Sequence, residues 1–275
     1  MASDRTPSAT VVQLPARAAP GGHRPSGPLA VPRKVLVVAR HTSALLVRSP
    51  GTVIAYSIMS MVLLTVLRPM YERLGALDGP AINQEAPGIA VMFTLLALDV
   101  AGQVLLSERI WGTWDRLRAD SIGRPTVLVG KALPLTVLFT VQQAVLFAFA
   151  GLVYGFDLAS GSWRLALLTV AWGWCVSCLG LALGVWVRTQ GQLAAAADVG
   201  ALAITCLSGS LVPLAILPQW VSDVAPWTPG YWALRGFQSA VTGDHAMYVR
   251  SLVVILGLSL LALLLASLRA PRASR

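Results

Sequence analysis

Long apolar runs alternate with short polar connections along most of this chain. They lie near Gly51–Leu67, Pro87–Leu106, Leu133–Tyr154, Leu165–Val187, Leu193–Val212 and Val249–Leu268. Each approaches the roughly 20 residues that carry a helix across a bilayer. The first is the shortest, and Arg48 and Arg68 bracket it. None of the runs alternates with the period of two that barrel strands show. Backbone groups in lipid must be hydrogen-bonded within their own segment, so helices are expected throughout. The pattern predicts an all-α integral membrane protein with six transmembrane helices.

Smaller elements fill the connections. Residues 1–32 are rich in Pro, Ala, Gly, Ser and Arg and lack the apolar stretch of an export signal, which reads as a disordered cytoplasmic tail. Between Arg33 and Arg48, Val35, Val38, Ala39, Thr42 and Leu46 recur at helical spacing while Arg33, Arg40 and Arg48 line another face. That predicts a short interfacial helix on the inner leaflet, although a plain stop signal of positive charge accounts for the same residues. Residues 33–268 then form one transmembrane domain, and 269–275 a cytoplasmic C-terminal tail. The loop from Arg68 to Ala86, with Glu72, Asp78 and Glu85, is too short for a domain.

Between the last two runs the chain stays apolar from Ser208 to Gly243, yet Pro213, Pro218, Pro226 and Pro229 interrupt it. Pieces such as Gln219–Ala225 cannot cross a bilayer, and proline ends helices. Short re-entrant helices in the outer leaflet are expected, with Trp220, Trp227, Tyr231 and Trp232 at headgroup level. Pro213, Pro218, Trp220, Pro229, Tyr231 and Trp232 thus mark a candidate exit region; an aromatic belt is the simpler reading of the same side chains.

Composition agrees with the pattern: 56% of residues are hydrophobic, 12% are charged, and mean hydropathy is +0.69. Charge then fixes an expected orientation. Of the 21 Lys and Arg, seven precede the first run, five lie between the second and third, one follows the fourth and three follow the sixth. Arg68, Arg73, Arg164, Arg235 and Arg250 fall on the other side. This bias puts both termini in the cytoplasm, and the net charge of +9 reports topology and anionic lipid, not nucleic acid. Cys175 and Cys178 have a C-x-x-C spacing, but on an apolar helix without His or acidic neighbours they read as packing residues.

Catalytic motifs are missing. Gly123 and Gly130-Lys131 superficially suggest a phosphate loop, but six residues separate the glycines and Ala132 follows the lysine, where G-x-x-x-x-G-K-[ST] is needed. There is no H-E-x-x-H or G-x-S-x-G, and His23, His41 and His245 are scattered. The chain is therefore expected to bind no ATP, metal or other cofactor itself and not to be an enzyme by itself.

The most informative stretch is Ser107–Pro134, a charged segment between two apolar runs. Ile110, Trp114 and Leu117 share one helical face, Arg109, Arg116 and Asp120 occupy others, and Gly123 and Pro125 stop the helix. Lys131 is placed to snorkel to the interface as the third span begins. A short amphipathic helix on the inner surface suits a groove on a soluble partner.

The run Glu108-Arg109-Ile110-Trp111-Gly112-Thr113-Trp114-Asp115-Arg116-Leu117, continued by Gly130-Lys131, resembles the signature of type-2 ABC exporter permeases. That family shows Glu-x-x-x-Gly-Thr, then an acidic residue and Leu, then Gly-Lys at the next span. Leu211–Phe237 also resembles the family's region before its last helix, through Pro213, Leu217-Pro218, Trp220, Thr228-Pro229, Tyr231-Trp232 and Gly236-Phe237. The overall look is similar to actinobacterial drug-resistance permeases of the daunorubicin-exporter kind. Asp120-Ser121 stands where relatives often have Ser-Pro.

The resemblance implies a coupling helix within Glu108–Ser121, with Glu108, Arg109, Gly112, Thr113, Trp114, Asp115, Arg116, Leu117 and Arg118 seated on a separate ATP-binding subunit. It implies two copies of that subunit, which would bind the ATP and Mg, and a second permease, either another copy of this chain or a sister. It also implies a multi-pass protein of the bacterial plasma membrane that moves an amphiphilic drug or lipid outward. Export of an envelope polysaccharide or lipid-linked glycan is the alternative within the family, and a membrane-embedded lipid-modifying enzyme the alternative outside it.

Two carboxylates, Asp99 and Asp198, fall inside predicted spans, where ionisable groups are costly. A cationic amphiphile could use them, with Trp172, Trp174 and Trp186 as stacking surfaces along a substrate path. Bonds to Gln103, Gln190 or Gln192 are the structural explanation.

Overall fold

The computed structural model describes residues 30–48, 51–73, 80–110, 124–159 and 161–269, and every regular element among them is helical. Helix α1 (Ala30–Arg48) leads to α2 (Gly51–Arg73). Helices α3 (Ile82–Leu96) and α4 (Leu98–Ile110) make one rod interrupted at Ala97. Helices α5 (Arg124–Tyr154), α6 (Ser162–Trp186) and α7 (Gln190–Leu207) follow. Short 3-10 turns at Leu214–Ile216 and Ala225–Trp227 flank α8 (Gln219–Val224), and α9 (Pro229–Thr242) precedes α10 (His245–Arg269).

Among the described residues, five helical stretches are long and apolar enough to cross a membrane: Val53–Arg73, Ile82–Ile110, Pro125–Tyr154, Ser162–Trp186 and His245–Leu268. The chain is a multi-pass membrane protein. The expected fifth span, Leu193–Val212, is the exception. Its helix, α7, has 18 residues, with Gln190 and Gln192 in its first turn and Asp198 further along. It stops at Leu207, and Gly209 adopts φ +78°, a left-handed conformation suited to helix termination.

Several helices outrun their apolar cores. α2 continues through Pro69 to Arg73, the second rod runs from Ile82 to Ile110, and α5 starts at Arg124. Each extension carries a charge whose partner lies on another helix, so the ends stay helical without being apolar. Glu85, expected in a loop, is consequently a fully buried residue of α3.

Helix α6 is the axis of the bundle, and it packs against α4, α5 and α10. Its most apolar window is 72% buried, against 11% for α2, which leaves α2 on the outside. Trp172, Cys175, Val176, Cys178 and Leu181 on α6 are enclosed on all sides. Both cysteines are free thiols in the core, as the sequence suggested. Gly180 and Gly184 let α4 approach: a Cβ on Gly184 would sit 2.5 Å from the Gly102 carbonyl oxygen, and one on Gly180 2.5 Å from the Ala101 Cβ. This small-residue pair therefore closes a helix crossing within one bundle.

Candidate functional site

One end of the bundle gathers α1, the end of α4, the start of α5, and the α6–α7 junction. On α4, Glu108 continues the buried face of Ala101 and Leu105; on α5, Lys131 continues that of Leu128 and Leu135. The two faces meet, and Lys131 Nζ lies 2.5 Å from Glu108 Oε1. Lys131 is fully enclosed and Glu108 nearly so. Removing Glu108 strands the buried Lys131 charge, at a cost of about 3–5 kcal/mol.

Arg109, the next residue, reaches across to α6. Its Nη1 donates to the carbonyls of Gly184 (2.9 Å), Val185 (2.9 Å) and Val187 (3.2 Å). These acceptors belong to the helix C-terminus, where carbonyls lack intrahelical partners and the dipole favours a cation. Beside Lys131, Gly130 brings α1 onto α5: a Cβ there would lie 2.9 Å from the Val38 Cβ.

The placement of Lys131 departs from expectation. It does not snorkel to an interface, because α5 begins at Arg124 and carries both Gly130 and Lys131 inside its packed portion. Glu108 and Arg109 are likewise the closing turn of α4. Gly112, Thr113, Trp114, Asp115, Arg116, Leu117 and Arg118 lie outside the described residues.

The two carboxylates expected within spans stand on helices that pack against each other. Asp99 on α4 and Asp198 on α7 lie within electrostatic reach of each other and of Tyr56 on α2. Gln103 Nε2 donates to Asp99 Oδ2 at 2.5 Å, so the structural explanation holds for one oxygen. Asp198 is exposed on α7. The tryptophans are less uniform than a stacking path requires. Trp172 is fully buried in the core and offers no face; Trp174 packs against that core, and Trp186 ends α6, 49% exposed.

At the opposite end, Arg68 on α2 bonds Glu72 (2.8 Å) and sits 3.6 Å from the buried Glu85. Tyr71 donates to the Leu211 carbonyl at 2.5 Å, Gln84 to that of Gly209 at 3.0 Å, and Gln238 to Gln84. A cavity of about 360 Å³ opens between these elements, lined by Gln84, Arg235, Gln238, Ser239, Asp244 and Met247 among others. The Pro-interrupted region folds around it as short pieces. Pro213 and Pro218 immediately precede helical turns, Pro229 opens α9, and the Tyr231 N–H donates to Thr228 Oγ1. Trp220 is exposed, whereas Trp232 donates from Nε1 to the Pro226 carbonyl at 2.8 Å.

Sequence reasoning missed Lys131 as the partner of Glu108, Arg109 as a cap on α6, and Glu85 as a core residue. The signal for the first was present: opposite charges stand on the two apolar runs that flank one short segment.

Residues 33–242 match the family described as ABC-2 type transporter. The linearmycin resistance permease protein LnrN of Bacillus subtilis is 25% identical over 156 residues, covering 57% of this chain and 40% of that protein. The probable multidrug ABC transporter permease YbhR of Escherichia coli K12 is 27% identical over 137 residues, 50% of this chain and 37% of the relative. ABC transporter G family member 20 of Dictyostelium discoideum is 28% identical over 179 residues, 62% and 24% respectively. The chain thus spans less than half the length of each of these relatives. With the family matched across most of its length on an all-helical membrane bundle, the chain belongs to the ABC-2 type transporter membrane family.

Proposed function

We propose that this chain is the membrane-spanning permease of an ATP-driven exporter of amphiphilic small molecules, with ATP hydrolysed by a separate subunit. The family match over residues 33–242 carries the reading, and the names of two relatives, a linearmycin resistance permease and a probable multidrug permease, favour a drug-like cargo. In this reading both termini are cytoplasmic, α7 completes a sixth passage, and the Lys131 end faces the cytosol. Residues 111–123 would then meet the ATP-binding subunit, and two permease subunits would rock apart as the paired ATPases close.

Asp99 and Asp198 give the reading a chemical direction. Two carboxylates near Tyr56, on helices that pack together, favour cargo carrying a positive charge. The Gln84–Arg235–Asp244 cavity, at the other end, is the proposed outward exit. The test is reconstitution in vesicles with its ATP-binding partner. ATP-dependent movement of a fluorescent cationic amphiphile supports the exporter. Stable association with no ATPase, and no ATP-dependent movement, refutes it.

A further inference from the structure

Three contacts converge on the helices that flank residues 111–123. The Glu108–Lys131 pair ties the end of α4 to α5 at 2.5 Å. Arg109 ties the same turn of α4 to three carbonyls at the end of α6. Gly130, next to Lys131, admits α1 against α5. A salt bridge at a helix end is ordinarily solvated and weak. This one is enclosed by protein, so the two charges have lost their water and attract each other across the α4–α5 contact.

We infer that Lys131 is a positioning residue: acting through Glu108, it locks α4 and α5 into one rigid body, which Arg109 joins to α6. Without the lock, force applied between Ile110 and Arg124 would splay the two helices at their base. With it, the same force moves α4, α5 and α6 together. The consequence for transport rests on the exporter reading; the lock itself does not.

The test uses spin labels on the full chain in lipid nanodiscs, at Ile110→Cys and Leu133→Cys, both exposed positions, in a Cys206→Ser background. Cys175 and Cys178 are buried and out of reach of the label. The parent is expected to give one narrow distance distribution. Lys131→Met should broaden it at least about twofold, and the exchange Glu108→Lys with Lys131→Glu should restore the narrow width. If Lys131→Met alone fails to fold, the neutral pair Glu108→Gln with Lys131→Met removes both charges of the bridge and should show the same broadening. An unchanged width in whichever neutral variant folds, or failure of the exchange to narrow it, overturns the inference.

A second arm reads function in vesicles with the ATP-binding partner. Lys131→Met should keep basal ATP turnover while cargo moved per ATP falls at least about tenfold, recovering in the exchange variant. An unchanged ratio in Lys131→Met overturns the coupling role. If the unsubstituted complex itself moves no cargo, the exporter reading falls, and the label widths still decide the lock.

Discussion

Arg109 does the work of several backbone donors with one nitrogen. Three carbonyls at the end of α6 converge on Nη1, so truncation removes charge-assisted bonds and leaves those acceptors exposed to a partly buried void. Arg109→Ala should lower unfolding stability by about 1.5–3 kcal/mol, read as a shift in an SDS titration of the purified protein. Trp172 gives a second contrast. Because it is enclosed on all sides, Trp172→Ala should cost about 3–5 kcal/mol, while Trp186→Ala at the half-exposed end of the same helix should change the midpoint far less. Equal shifts for the two would contradict their placement. Neither distinction was legible in sequence, since both tryptophans stand in one apolar run and only packing separates them.

Among the helices, the close crossing of α4 and α6 is set by backbone. Gly184 faces Gly102 with backbone, not side chain, as the obstruction. A larger residue must push the helices apart, so Gly184→Val should destabilise by at least about 1–3 kcal/mol. Gly191→Ala, with open space around it, should be neutral in the same titration. The apolar runs and their order could be read directly from the chain because bilayer length imposes them. Helix ends could not. Glu108, Lys131, Arg68 and Glu85 look like solvated residues to any local hydropathy average, and their pairing across helices is what lets the ends extend. The fifth run shows the converse: Leu193–Val212 reads as one apolar stretch, but its helix ends at Leu207, where Gly209 and Pro213 turn the chain.

At the scale of the whole molecule, charge is distributed by depth. The Glu108–Lys131 pair sits at one end, the Arg68–Glu85 cluster at the other, and between them stand the half-buried Asp99 of α4 and the exposed Asp198 of α7. The carboxylate pair leads to a selective prediction. Asp99→Asn keeps the hydrogen-bonding partner for Gln103 but removes one negative charge. Vesicle efflux of cationic amphiphiles should fall several-fold more than that of neutral ones; equal losses would mark Asp99 as a packing residue. The family was legible in Glu108–Leu117 and Gly130-Lys131, and the match over residues 33–242 agrees with it. The partner-facing role of those residues still rests on the resemblance, because their central portion lies outside the described structure.

The enclosed axis has a bearing on biogenesis. α6 is the fourth of the five long apolar helices to leave the ribosome, yet it is the one that the others surround. The earlier arrivals, α2 through α5, therefore lack their central neighbour while synthesis continues, with the charges of Glu108 and Lys131 already among them. Truncation before Ser162 should consequently yield a membrane-inserted product that quality-control proteases remove quickly, whereas chains extended past Trp186 should persist.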